Sequence, residues 1–438
     1  MTLGTVQFLI QKGSGQGDNL SGVIVGLDIG TSNIRAVIGE TDAEGNLEII
    51  GASKRPSQGL RNGVIVNIDA AMTAIRDTIE AAEQMAGIEV SSVITALGGA
   101  QVQSLNSKGQ IGVDSSGKGR SVEISENAKQ RAIESAKAVV IPLDKQLIHV
   151  IPQEYMIDGV PGYQDPLGMM GVRLEVGVHI VTASITAVSN IRQCVSRAGY
   201  FLEGVMLKTL AAVKATLHKD ELDLGSILID LGGGTTDVIV LSKDAPVFTA
   251  SIPVGGNLVT NDIAIIKAIP NSIAEKIKIE SGCCWVSGNE KNEKVIIPGV
   301  GGRPPEEITR YDLCEIIQAR MGEIFSMIRS EVVRGSKLSQ LNGSIVLTGG
   351  GALMPGAVEL AKNVFGTTAV RVGECPRMGA LDDEFRGADF ATVMGLVIAN
   401  KDRDEDLRSN KKSRVSDLFK KNSNGKESFF EKIKRTFF

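Results

Sequence analysis

The chain has 438 residues, a length that predicts about two to four domains. Its composition, with 42% apolar and 22% charged residues, is typical of water-soluble proteins. The net charge of −4 gives no reason to expect nucleic acid as a partner. Five cysteines without a Cys-x-x-Cys motif and only three histidines favour neither a zinc site nor a disulfide framework, and they fit a reduced cytosolic compartment. No apolar run reaches the ~20 residues of a membrane span, and residues 1–20 are predicted to form a flexible leader.

The strongest pattern is a segment that occurs twice, at 23–40 (VIVGLDIGTSNIRAVIGE) and at 227–242 (ILIDLGGGTTDVIVLS). Each copy is an apolar strand that ends in an aspartate, a turn of small residues, and a second β-branched strand, which predicts a β-hairpin. Because the two copies lie far apart in the chain, they indicate two related halves and not a short tandem repeat.

Between the hairpins, helical and strand patterns follow one another. They predict a helix at 69–87 with Asp69 as N-cap, a strand at 92–97, a helix at 125–138 with Ser125 as N-cap, strands at 147–157 and 172–188, and helices at 189–199 and 205–217. After the second hairpin we expect a loop-rich stretch at 284–306, a helix at 309–334 that begins at Thr309, a strand at 344–348 and a helix at 356–364. This succession predicts α/β layers with a largely parallel sheet.

The two turns that follow an aspartate carry the groups that a nucleoside triphosphate needs. Backbone N–H groups and hydroxyls in such turns converge on phosphate oxygens. The carboxylates of Asp28 and Asp230 would repel phosphate, so we expect them to face Mg²⁺, mostly through water. The predicted phosphate contacts are Gly30, Thr31, Ser32 and Asn33 in the first turn and Gly232, Gly233, Gly234, Thr235 and Thr236 in the second.

A third glycine-rich turn, Gly349, Gly350 and Gly351, follows the predicted strand at 344–348. Three glycines permit the close approach of a flat group such as adenine or ribose. Any of the three turns taken alone is more often a simple turn, so the prediction depends on their combination. The sequence contains neither a GxxxxGK[ST] loop nor the HRD and DFG motifs of kinases.

Two phosphate motifs and an adenosine motif in this order resemble the actin-like ATPase superfamily. The resemblance implies an α/β, two-lobed fold of duplicated ribonuclease H-like domains that closes on ATP. The stretch at 273–278 (IAEKIK) resembles the superfamily helix that reaches the ribose, so Glu275 and Lys278 are implied as nucleotide contacts. A solvated amphipathic turn is the alternative interpretation of that stretch.

Within the superfamily, the sequence is similar to the FtsA family of bacterial cell-division proteins. The similarity is carried by residues 251–285, by HVIPQEYMIDG at 149–159, and by an insert near 101–180 within the first half. It implies ATP-dependent head-to-tail self-assembly, other division proteins as partners, and docking of the C-terminal peptide of the division protein FtsZ at about 258–330. A pilus-assembly relative and a sugar or acetate kinase of the same superfamily are the alternatives.

The same resemblance implies how the chain is divided into domains. We expect a first lobe of 21–100, 181–215 and about 386–400, an inserted subdomain at 101–180, a second lobe of 216–257 and 331–385, and a nucleotide and partner subdomain at 258–330.

One position departs from the superfamily pattern. Many members open a helix with a Glu-Pro pair whose carboxylate orients water, whereas this chain has Lys208 and Thr209 there. A positive charge cannot act as a general base at neutral pH. The departure implies nucleotide binding with slow or absent hydrolysis, and hence a structural adaptor more than an enzyme.

The end of the sequence changes in composition. Residues 401–427 are rich in charge and poor in apolar side chains, which predicts a disordered linker. Residues 428–438 (SFFEKIKRTFF) predict an amphipathic helix that lies on the anionic inner face of the cell membrane at the division site. A terminal helix docked on the protein's own core is the alternative. The predicted membrane-contacting residues are Phe429, Phe430, Ile433, Lys434, Arg435, Phe437 and Phe438.

Deleting residues 428–438 is expected to abolish membrane localisation and to leave ATP binding intact, because the two functions lie in separate segments. Fluorescence microscopy of tagged chains and nucleotide titration of the purified variant would measure the two effects. If the chain without residues 428–438 stayed at the membrane, the prediction that these residues form the membrane anchor would be wrong.

Overall fold

The computed structural model describes residues 22–405 except 43, 115, 117–118, 287–290, 337–342, 380–382 and 404. The predicted leader at 1–20, nearly all of the predicted linker and the predicted membrane helix at 428–438 lie outside the described residues. Helix α10 (391–403) extends past residue 401, where the linker was predicted to begin, and Asp402 on it pairs with Lys214 at 2.9 Å.

Strands account for both predicted hairpins and for the four other predicted strands, of which the one predicted at 172–188 ends at Ser184. Their bounds are β1 (Val23–Ile29), β2 (Asn33–Thr41), β3 (Leu47–Pro56), β4 (Leu60–Arg61), β5 (Val64–Ile65), β6 (Ser92–Leu97), β7 (Val102–Gly112), β8 (Val122–Glu123), β9 (Lys145–Ile157), β10 (Val160–Tyr163), β11 (Met170–Gly171), β12 (Arg173–Ser184), β13 (Phe201–Leu207), β14 (Ser226–Leu231), β15 (Thr236–Ser242), β16 (Ala245–Ile252), β17 (Lys294–Ile297), β18 (Glu306–Thr309), β19 (Ser344–Thr348) and β20 (Val370–Val372).

The helices pack on the faces of these sheets. Besides α10, they are α1 (Ile68–Ala86), α2 (Glu126–Ala136), α3 (Ile185–Ala198), α4 (Lys208–Thr216), α5 (Lys219–Leu224), α6 (Gly256–Lys267), α7 (Asn271–Ser281), α8 (Arg310–Ser336) and α9 (Ala357–Phe365). None of the helices within the described residues combines the length and the apolar character that crossing a bilayer requires.

Two five-stranded sheets have the same order and the same directions. The first is β13-β6-β1-β2-β3 and the second is β20-β19-β14-β15-β16. In each, a three-stranded antiparallel meander is extended by two parallel strands. The repeated hairpins therefore do mark two related halves. The prediction of a largely parallel sheet is wrong, because each half begins with tight hairpin turns that force antiparallel pairing.

The region inserted into the first half forms a separate antiparallel sheet, β10-β9-β12-β7, with α2 packed on it. Its polar edge meets β16 of the second half. The side chains of Ser104, Asn106 and Gln153 each donate a hydrogen bond to a β16 carbonyl, at 3.1, 2.9 and 2.8 Å. The insert therefore contacts both halves of the molecule.

The helix starts test the predicted caps. Asn67, and not Asp69, caps α1, because its side-chain oxygen accepts from the N–H of Ala70 while Asp69 lies in the first turn. Ser125 caps α2 as predicted. The hydroxyl of Thr309 accepts from the N–H of Asp312, whose carboxylate accepts from the N–H of Thr309, a reciprocal cap at the start of α8.

His179 generates a prediction about pH. Its ring is buried between Asn106 and Thr249 of β16, and burial together with the neighbouring His149 lowers the pKa of His179 to about 4. Because the unfolded chain binds a proton at about 6.5 and the folded chain does not, stability is lost as pH falls from about 6.5 to about 4. The loss amounts to at most ~3 kcal/mol in the free energy of unfolding.

The substitution His179→Gln should remove this pH-dependent loss, measured by urea unfolding between those two pH values. The exposed His218 provides the matched control, and His218→Gln should change the pH dependence less than His179→Gln does. Equal pH dependence in the wild type and in His179→Gln would refute the role of His179.

Candidate functional site

A cleft of about 290 Å³ lies between the two halves, where the turns of both repeated hairpins meet. Most of the predicted site residues line it. They are Asp28, Gly30, Thr31, Ser32, Asn33, Asp230, Gly232, Gly233, Thr235, Glu275, Lys278, Gly349, Gly350 and Gly351.

Two predicted residues do not line the cleft. The hydroxyl of Thr236 is buried and donates to the carbonyl of Val254, in the loop between β16 and α6. Gly234 packs against the first half, where a Cβ would lie 2.9 Å from the hydroxyl oxygen of Thr31. Both positions belong to the turn pattern, but the hairpin directs them away from the cavity.

The two hairpin turns approach each other closely. A Cβ on Gly233 would lie 2.0 Å from the hydroxyl oxygen of Ser32, so a side chain there would force Ser32 to move. Ser32 in turn donates to the side-chain oxygen of Asn257, at 3.3 Å, in the first turn of α6. The turns therefore form two facing walls of a narrow slot.

Lys208 places a positive charge between the two hairpins. It opens α4, and its Nζ lies 3.1 Å from Oδ2 of Asp230 in the other half. Burial would lower the pKa of Lys208, but the carboxylates of Asp230, Asp28 and Asp237 outweigh burial and hold that pKa above its ordinary value. Lys208 therefore remains charged across the physiological pH range.

The two aspartates at the strand ends are not equivalent. Asp28 lies 3.8 Å from Arg35, and burial raises the pKa of Asp28 despite Lys208 and Arg35. Asp230 has Lys208 in direct contact and also accepts from Thr392 of α10 at 3.4 Å. Asp28 thus remains the carboxylate with less compensation of its charge.

Sequence reasoning missed several charged side chains of the cleft. Asp237 accepts from the N–H of Gly99 at 2.8 Å and so joins the halves, and burial raises its pKa. Asp389 accepts from Arg35 and Lys54, both at 2.8 Å. Asp237 directly follows the predicted turn and could have been found there, whereas Arg35 and Asp389 lie too far apart in sequence for any local pattern to join them.

Glu275 and Lys278 meet each other on α7. The Nζ of Lys278 lies 2.7 Å from Glu275 and 2.9 Å from the hydroxyl of Thr260, and it also donates to the carbonyl of Gly256. The pair forms one polar corner of the cavity. Apolar side chains of Ile279, Leu353 and Met354 line the cavity near the third glycine turn.

These residues fit a nucleoside triphosphate. The backbone N–H groups of the two turns can hold phosphates. Glu275 and Lys278 on α7 offer a hydrogen-bond acceptor and a hydrogen-bond donor, and apolar side chains can cover a base. They fit a divalent metal less well, because the ammonium of Lys208 already occupies one oxygen of Asp230. Among the residues that the structure describes, no three His, Cys, Asp or Glu side chains cluster closely enough to hold a metal ion.

Comparison with known protein families gives two matches. The model described as "Cell division protein FtsA" matches residues 227–395, and the model described as "SHS2 domain inserted in FTSA" matches residues 99–182. The second match coincides with the four-stranded inserted sheet, whose strands begin at β7 and end at β12.

Curated relatives match over most of their length. The chain is 42% identical over 400 residues to the cell division protein FtsA of Borreliella burgdorferi, covering 91% of this chain and 95% of that protein. Identity to FtsA of Pseudomonas aeruginosa is 40%, with 86% and 88% covered, and identity to FtsA of Bacillus subtilis is 35%, with 86% and 83% covered.

Solved structures resemble the fold at lower identity. A PilM-PilN type IV pilus biogenesis complex superposes with a TM-score of 0.61 at 18% identity, covering 86% of this chain and 97% of that one. MreB5 of Spiroplasma citri bound to ADP superposes with a TM-score of 0.51 at 16% identity, covering 90% and 99%. At these identities the likeness concerns the fold alone.

The duplicated sheets, the cleft between them and these structural neighbours define an actin-like protein of two lobes with an inserted subdomain. The identity to the curated relatives is more specific, and the chain belongs to the FtsA family of cell division proteins. Membership in this family disfavours both the pilus-assembly relative and the sugar or acetate kinase.

Gly349 generates a prediction about the third turn. Its φ of +80° is unfavourable for other residues, and a Cβ there would lie 2.3 Å from Oδ1 of Asp230. We expect Gly349→Ala to lower the free energy of unfolding by about 1–3 kcal/mol. The adjacent Gly350 has open space at its Cβ position, so Gly350→Ala is the matched control and should change stability little.

Urea unfolding of both variants measures the difference. Equal stability of the two variants would show that the contact between Gly349 and Asp230 does not constrain the turn.

Proposed function

We propose that this chain binds ATP in the cleft, assembles head to tail on the cytoplasmic face of the inner membrane, and anchors FtsZ filaments there at the division site. The observation that carries the nucleotide part is the pair of facing hairpin turns, with Gly233 against Ser32 and a carboxylate at the end of each first strand. Such turns present backbone N–H groups to both sides of one triphosphate.

Hydrolysis is proposed to be slow or absent. The first turn of α4 contains no acidic residue, and Lys208 at its start stays charged. Since no carboxylate on α4 can orient water, the cleft is suited to holding ATP and fixing the relation of the lobes. The turnover should then lie well below the ~1–10³ per second of typical enzymes.

The membrane part rests on the sequence of the tail. Its five large apolar side chains gain ~1.5–3 kcal/mol each on full burial. Ordering eleven residues costs ~1–2 kcal/mol each, which nearly cancels that gain. One tail would bind weakly, whereas several tails on one polymer bind far more tightly through effective concentration. Assembly and membrane attachment should therefore reinforce each other.

A surface for the FtsZ peptide is proposed within 258–330. Ile265 and Ile266 at the end of α6 and Ile296 on β17 are exposed apolar side chains. Lys267 on α6 has its Nζ 3.0 Å from Glu306 on β18, the strand that pairs with β17. An apolar surface of this kind, with a polar rim, suits a short peptide with apolar anchors.

Calorimetric titration with ATP tests the nucleotide site. The variant Gly233→Ala places a methyl group against Ser32 and should weaken ATP binding by about tenfold or more, or about 1.4 kcal/mol. Gly112→Ala is the control, because a Cβ at Gly112 meets no neighbouring atom. If both variants bind ATP as the wild type does, the nucleotide does not bind between the hairpins.

The wild-type chain, placed on anionic lipid monolayers with ATP, should form filaments that are visible by electron microscopy. These filaments should recruit a fluorescent C-terminal peptide of FtsZ. Ile296→Asp should abolish recruitment and keep the filaments. Ile185→Asp, an exposed isoleucine on α3 of the first lobe, should change neither. Recruitment that survives Ile296→Asp would place the peptide elsewhere.

A further inference from the structure

The ammonium of Lys208 holds a position between the two hairpins. Its side chain is 16% exposed, and its Nζ contacts Oδ2 of Asp230 at 3.1 Å. The same nitrogen lies 3.8 Å from where a Cβ on Gly232 would stand, so it rests against the second phosphate turn. The ammonium of Lys208 is thus a positive charge held at the position where the phosphates of a nucleotide and a metal cation would come together.

A divalent cation would find little free coordination at Asp230. One carboxylate oxygen is in contact with Lys208 and accepts from Thr392 at 3.4 Å. The other oxygen, Oδ1, lies close to the backbone of Gly349, since a Cβ on Gly349 would be 2.3 Å from it. Mg²⁺ requires near-octahedral oxygen donors and would also be repelled by the adjacent ammonium.

We propose that Lys208 takes the place of the divalent cation at this cleft, so that the nucleotide binds without requiring Mg²⁺. The inference rests on the proposed nucleotide site. An ammonium has three donors, and contact with Asp230 leaves donors for phosphate oxygens approaching along the second turn. Lysine is a point charge that binds phosphate well, and here its contact with a carboxylate of the opposite lobe fixes its place.

The consequence is a difference in metal dependence. Calorimetric titration of the full-length chain with ATP, in buffer with excess Mg²⁺ and in buffer with EDTA, gives the ratio of the two dissociation constants. For the wild type this ratio should be less than about tenfold, or 1.4 kcal/mol. A ratio above that, with tight binding in Mg²⁺, would overturn the role of Lys208 while leaving the proposed nucleotide site intact.

Variants separate charge from packing. Lys208→Gln removes the charge and should raise the ratio above about tenfold, because Asp28 and Asp230 then require another cation. Lys208→Arg keeps the charge and should keep the low ratio. The control is Lys214→Gln on the same helix, which loses a partly buried ion pair with Asp402 away from the cleft and should behave as the wild type.

Each outcome has one meaning. Folding of every variant is checked by thermal unfolding, and if Lys208→Gln does not fold, the wild type and Lys208→Arg still decide the question. A ratio in Lys208→Gln equal to that of the wild type would overturn the inference. Absence of ATP binding by the wild type in both buffers would instead overturn the proposed nucleotide site, and the inference with it.

Discussion

Lys208 of the first lobe and Asp230 of the second meet where the two halves of the molecule face each other, and little water reaches either charge. Separating such a pair leaves a buried charge without compensation, which costs several kcal/mol. The neighbouring inter-lobe contacts act in the same direction, since Asp237 accepts from Gly99 and Thr392 donates to Asp230. Polar contacts at the cleft itself therefore help to hold the two lobes in this arrangement, and a molecule that enters the cleft lies beside them.

The duplication explains why these contacts can meet. Each sheet carries its hairpin on strands of the same order and direction, so the two turns project from equivalent places and can oppose each other. The halves nevertheless treat their aspartates differently. Asp28 has a guanidinium at 3.8 Å, whereas Asp230 has an ammonium from across the cleft. The symmetry of the fold thus supports an asymmetric site, as a ligand with distinct ends requires.

Sequence alone was sufficient for the parts of the molecule that local chemistry determines. The strand, aspartate and glycine pattern predicted both hairpins, and most of the predicted turn residues do line the cleft. The strand β7, with polar residues on both faces, gave no alternating pattern and was missed, as was the hairpin of β17 and β18 within a stretch predicted to be loop. The N-cap at Asn67 was missed because aspartate is favoured both at N-caps and in the first turn, and Asp69 was assigned to the wrong one of these positions.

Contacts between distant segments could not be predicted. The pairing of Arg35 with Asp389 joins segments that are far apart in the sequence, and the proximity of Lys208 to Asp230 arises where the two lobes meet. From the sequence alone, Lys208 indicated only that this position has no carboxylate to act as a general base. Its second property, a charge held against the opposite carboxylate, is a tertiary feature that depends on where β13 ends and α4 begins.

Helix α10 packs into the core of the first lobe, and the backbone of Gly26 in β1 lies so close to Val393 that a Cβ there would be 2.7 Å from its carbonyl oxygen. The first described strand, β1, therefore lacks one of its packing partners until α10, the last described helix, has been synthesised. During synthesis the second lobe and the insert can collapse while the amino-terminal sheet still exposes apolar surface, the condition under which chaperones are engaged. A chain cut short before about residue 390 would lack α10, and its first lobe would therefore keep part of its apolar core exposed.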